Sequence, residues 1–130
     1  MISKTLSTIA LCLLLGSTQA DDASWTSQRG LFVVSYQSEL EPLQINRLHA
    51  WVLHIENAAG EAVVGAQVEA SGGMPVHNHG LPTRPRVTAE IGNGDYRLDG
   101  IRFHMAGEWE ITISISGDDK TDMVVVAVTL

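Results

Sequence analysis

Cysteine is almost absent from this chain: there is one, Cys12, and it lies inside an apolar N-terminal run. No disulfide can form within the rest of the chain. Blue-copper electron-transfer centres and thiolate zinc sites, which need cysteine sulfur, are excluded as well. Basic residues are scarce too. With Lys4 set aside, seven basic residues face fifteen acidic ones, a net charge of −8. Nucleic acid is therefore not an expected partner, because its phosphates would be repelled. No Ser-His-Asp order, pair of catalytic carboxylates, phosphate loop or dinucleotide fingerprint occurs, and the chain is not read as an enzyme. Helical periodicity of useful length is missing, as is any apolar run long enough to span a bilayer comfortably.

The longest apolar run, Leu6 to Gly16, follows Lys4 and precedes the small-residue site Thr18-Gln19-Ala20. This is the pattern of a secretory signal peptide over residues 1–20, with Asp21 opening the processed chain. Cys12 follows Leu11 and precedes three leucines, which does not suit lipid attachment. The expectation is a periplasmic or secreted protein with no stable membrane span after cleavage. Residues 21–29 read as a flexible N-terminal segment apart from Trp25, and residues 30–130 as one domain with a single core.

Period-two alternation dominates that domain. Trp109, Ile111, Ile113 and Ile115 alternate with Glu110, Thr112, Ser114 and Ser116, the signature of a half-buried strand. Further strands are expected at 31–36, 48–56, 66–70, 86–91, 95–98 and 121–130. Asn93-Gly94 reads as a type I′ hairpin turn, with other turns at 57–61 and 117–120. About seven short strands predict an all-β, immunoglobulin-like (cupredoxin-like) antiparallel β-sandwich.

Chemistry concentrates in two short segments, Met74-Pro75-Val76-His77-Asn78-His79-Gly80 and His104-Met105. Imidazole serves both oxidation states of copper, and thioether sulfur favours the reduced ion. In an up-and-down path both segments fall at one end of the sandwich, together with His49. On an extended segment His77 and His79 share a side and could reach one ion. Met74 is read as ligand or core filler, and Met105 as ligand or packing residue. His49, on the core face with Trp51 and Leu53, is read as a ligand or as a group that orients one. His54, on the opposite face, is read as a solvated surface histidine.

The runs 72–83, Pro85-Arg86-Val87, Gly94-Asp95-Tyr96-Arg97 and Phe103-His104-Met105-Ala106-Gly107-Glu108-Trp109 resemble the YtkA-like family, which is related to FixH-like domains. With Leu43 to Trp51 included, the resemblance covers roughly Gln37 to Ile115. It implies a small exported or membrane-tethered immunoglobulin-like sandwich associated with copper handling, and its His/Met motif falls on Met74, His77, His79, His104 and Met105. The expected function is a periplasmic copper-binding protein holding Cu(I) or Cu(II) for delivery to a cuproenzyme or for sequestration. Zinc or nickel held by His49, His77, His79 and His104 without sulfur is the second metal reading. An envelope interaction module without metal is the alternative.

Overall fold

The computed structural model describes residues 23–130, so the expected signal peptide lies outside the described residues. Nine strands form two antiparallel sheets: β1 (Ser24–Thr26), β2 (Phe32–Ser38), β3 (His49–Asn57), β4 (Gln67–Met74), β5 (His79–Gly80), β6 (Arg86–Gly92), β7 (Asp95–Ile101), β8 (Glu108–Gly117) and β9 (Lys120–Thr129). One sheet runs β1-β2-β3-β7-β6 and the other β5-β4-β8-β9. No helix among the described residues is long and apolar enough to cross a membrane.

The expected sandwich is present, and alternation explains it strand by strand. Trp109, Ile111, Ile113 and Ile115 of β8 are fully buried, as are Trp51, Leu53 and Ile55 of β3. Val124, Val126 and Val128 of β9 complete the second sheet's inner face. Burial of each large aliphatic or aromatic side chain contributes about 1.5–3 kcal/mol, so a core of this composition holds without disulfides.

The strand count rises from seven to nine because two strands are too short for periodicity to show. The segment expected to be flexible is one of them. Ser24–Thr26 pairs antiparallel with Ser35, Val34 and Val33 of β2. Trp25 stacks on Tyr36 at 5.6 Å, and Tyr36 stacks on Trp51 at 3.8 Å. The following turn is anchored by Asp122, whose carboxylate accepts hydrogen bonds from Ser27 Oγ (2.6 Å) and the Arg29 amide (2.9 Å). Tertiary contacts order a stretch whose composition alone suggests none.

The turns follow local chemistry. Asn93 and Gly94 both have positive φ (53° and 85°), as a type I′ turn requires. Asn57 Oδ1 accepts from the amides of Ala59 and Glu61. At the other end of the sandwich lie the β2–β3, β4–β6 and β7–β8 connections. A bond of 2.7 Å from the Asn46 amide to the Phe103 carbonyl ties the first of these to the third.

Candidate metal centre

Strand β4 ends at Met74, and Pro75–His77 then makes a single 3₁₀ turn. Proline suits that first position because its fixed φ matches and its missing N–H has no partner to lose. Asn78 reverses the chain in the left-handed region (φ 51°), so the segment is not extended as expected. Strand β5 returns beside β4, pairing Met74 with His79 and Gly73 with Gly80. Gly73 permits this approach: a Cβ there would stand 2.7 Å from the His79 carbonyl oxygen. The tight reversal still sets the two imidazoles side by side, with ring centres 5.8 Å apart.

The irregular loop 102–107 supplies the second half. The His104 ring centre lies 5.0 Å from that of His79. Trp109 forms the wall behind both, with its ring 5.8 Å from His79 and 5.4 Å from His104, each edge-on. The Trp109 indole N–H also donates to the Met105 carbonyl at 3.1 Å. Trp109 is fully buried, as a core residue should be, but it also positions three candidate ligand residues. Sequence reading missed that second role, because nothing in a period-two pattern marks which core side chain underlies a loop.

One atom stands out electrostatically. His104 Nδ1 is buried and has no hydrogen-bond partner, and the same is true of nearby Arg102 Nε. Buried polar atoms without partners are uncommon in folded proteins, and a site for an ion is one of the few explanations for an imidazole nitrogen. The spacing fits such an ion. With metal–nitrogen bonds of about 2.0–2.1 Å, two imidazoles on one metal have ring centres roughly 5–6 Å apart. Both the His77–His79 and His79–His104 separations fall in that range. Among the described residues, however, no three His, Cys, Asp or Glu side chains gather closely enough to hold a metal by themselves. Imidazole pairs are assembled; a third donor would have to be sulfur or arrive by a side-chain adjustment.

The two methionines differ. Met74 is buried in the core, and its methyl group packs so closely on Gly107 that a Cβ there would lie 2.6 Å away. It packs in the core directly beside His79, its partner across β4 and β5. Met105 is half-buried against the core at the rim. His79 borders a shallow depression of about 370 Å³, lined also by Met74, Asn78 and Glu110, so solvent reaches it.

Two histidines require correction. His49 is not brought into the group. Its Nε2 accepts the Trp51 indole N–H at 3.2 Å, which leaves Nδ1 as the protonated nitrogen donating to the Arg47 carbonyl at 3.0 Å. With both ring nitrogens engaged inside the fold, its lone pair is unavailable to a metal, and the four-histidine zinc set is not assembled. His54 is not a lone solvated side chain either. Its Nδ1 meets Asp95 at 2.6 Å and its Nε2 meets Glu56 at 3.1 Å. The Asp95 hydrogen bond raises the His54 pKa, partial burial opposes this, and Glu56 adds to it.

The described residues thus form a small all-β domain, a two-sheet sandwich with an imidazole-rich loop pair at one end backed by a buried tryptophan. The chain belongs to the YtkA-like family, whose model matches residues 33–114. That span covers both histidine-bearing loops and omits β1 and β9. No curated protein matches the chain.

Proposed function

We propose that this end of the sandwich carries a copper ion as cargo in the cell envelope, for delivery to a cuproenzyme or for sequestration. The observation supporting this most directly is the buried, unpartnered His104 Nδ1, with its ring 5.0 Å from that of His79. His79 and His104 form the nitrogen pair, exposed His77 closes on the ion from outside, and Met105 offers thioether sulfur. Neutral imidazole with thioether tolerates both Cu(I) and Cu(II), whereas zinc gains little from thioether. The leader expected over residues 1–20 is the ground for placing it in the envelope, and the reading is of a carrier rather than an enzyme.

Titration with Cu(I) against a competing chelator tests it. The expected result is stoichiometric binding that is lost in a His77→Ala/His79→Ala double variant of unchanged circular dichroism. Binding that survives the double change refutes the assignment. X-ray absorption at the copper edge is expected to show sulfur beside nitrogen in the coordination shell. A shell of nitrogen and oxygen alone would remove Met105.

A second reading has one observation of its own. Val76 and Leu48, 82% and 67% exposed, flank the same end. A metal-independent protein contact there would keep its strength after chelation, and the copper reading would then lose its biological role.

A further inference from the structure

The four sheet edges of this molecule are treated very differently. Strand edges expose backbone donors and acceptors, and natural proteins blunt them by brevity, bulges or charge. Strand β1 has three residues and β5 has two. Strand β6 carries two register irregularities along β7, with Arg86 and Glu90 in its length. Strand β9 is charged only at its start, at Lys120 and Asp122, and lacks these protections beyond that point. It runs ten residues in unbroken register with β8, and residues 123–130 contain neither a charge nor a proline.

The hydrogen bonds show which of its backbone groups face outward. The Met123 carbonyl accepts from the Gln28 amide, and the Thr121 carbonyl accepts from Arg29, so odd-numbered residues point away from β8. Leu130 exchanges both backbone bonds with Gly107, which sets the even-numbered residues inward. The turn after β1 therefore caps the first two outward positions. Val125, Ala127 and Thr129 have no such cap among the described residues, and each presents one donor and one acceptor.

From this we infer that β9 is a self-association edge, pairing antiparallel with β9 of a second copy. Centring the two-fold axis on Ala127 sets Val125 opposite Thr129 of the partner and Ala127 opposite itself. Each outward residue then gains both backbone bonds, and the four-stranded sheets join into one continuous sheet. A second copy is the occupant that the symmetry favours, because an antiparallel edge is self-complementary and isologous contacts close as dimers. The net charge of −7 opposes any approach between copies, but the side chains of this stretch contribute none of it. The pairing leaves the histidine loops unoccupied and needs no metal.

Sedimentation of the exported chain in chelator, over a concentration series, tests the inference. The expected result is a reversible shift to twice the monomer mass, with amide exchange at Val125, Ala127 and Thr129 slowing as dimer fills. Ala127→Lys sets two ammonium groups opposite each other across the axis while facing Glu110 on β8. It is expected to raise the half-dimer concentration by at least about tenfold, or about 1.4 kcal/mol. Ala127→Pro removes an outward N–H and no bond to β8, and is expected to act likewise if the lysine variant folds poorly. Monomer mass throughout the series, or a dimer insensitive to both variants, overturns it. So does protection of those three amides in the monomer, which would mean that a segment upstream of residue 23 covers the edge.

Discussion

The two ends of the sandwich are built on opposite principles. At one end, Asp122 gathers hydrogen bonds from Ser27, Arg29, Leu31 and Met123, and two tight turns close the hairpins with positive-φ residues suited to them. At the other, His104 Nδ1 and Arg102 Nε lie buried without partners, and an exposed histidine stands at the tip of a one-turn helix. One end is satisfied by its own atoms. The other leaves donors and acceptors that the fold does not use, which is what a ligand-binding end requires.

The largest effect expected from breaking that contrast is on copper. His104→Ala should weaken copper binding by more than about a hundredfold, the loss of a ligand exceeding the 10–100-fold typical of its supporting groups. Chemical denaturation should show little loss of stability, because the removed nitrogen had no partner. The mirror experiment is His49→Ala, which leaves the Trp51 indole N–H buried without its acceptor. It should lose about 1–3 kcal/mol of stability while copper affinity holds. Equal effects of the two variants on copper would erase the distinction between them.

Gly107→Ala sharpens the comparison from the backbone. Gly107 sits at φ 131°, and the new methyl would meet the Met74 methyl carbon. A stability loss of about 1–3 kcal/mol is expected from the strained conformation. Copper affinity should drop with it, because the loop that aims His104 must shift. An unchanged urea midpoint would contradict this account of the loop.

Asp122→Asn probes the satisfied end. Burial pushes the Asp122 carboxyl up, but the hydrogen bonds from Ser27, Arg29, Met123 and Leu31 outweigh it and hold the pKa below the ordinary carboxylate range. A depressed pKa contributes stability above the unfolded value of about 4, lost as pH falls through the folded one. The variant should melt at lower temperature near neutrality and lose part of the acid dependence, with copper binding unchanged.

The smallest effect concerns His54. Its raised pKa means that the Asp95 and Glu56 contacts contribute fully below about pH 6.5, and that contribution fades as pH rises through the folded value. Asp95→Asn should lower the His54 pKa in an NMR titration, with almost no change in stability at this half-exposed position. An unmoved titration would show that Asp95 is not the cause.

Much of this architecture was legible in the residues. Alternation located seven strands because a half-buried strand must repeat every second residue, and β8 shows it without interruption. The Asn93-Gly94 turn was legible because few other dipeptides tolerate positive φ twice. Strand β1 was not, since three residues carry no period, and its order comes from Trp25 stacking on Tyr36, eleven residues away. The histidine loops were legible by residue type, and their meeting followed from up-and-down connectivity. His49 faces the core as parity indicates, but parity gives burial and not which partner takes the lone pair.

Taken alone, the amino-acid order determined the class of fold, the absence of thiolate chemistry and the identity of the candidate nitrogen and sulfur donors. These depend on composition and on periods that short-range sterics enforce. Only the folded chain decided which histidines keep a free nitrogen, that Trp109 lies behind the histidine loops, and that Val125, Ala127 and Thr129 of β9 face outward uncapped among the described residues. Each of those outcomes is a competition between atoms distant in sequence for the same hydrogen bond or the same few ångströms of space.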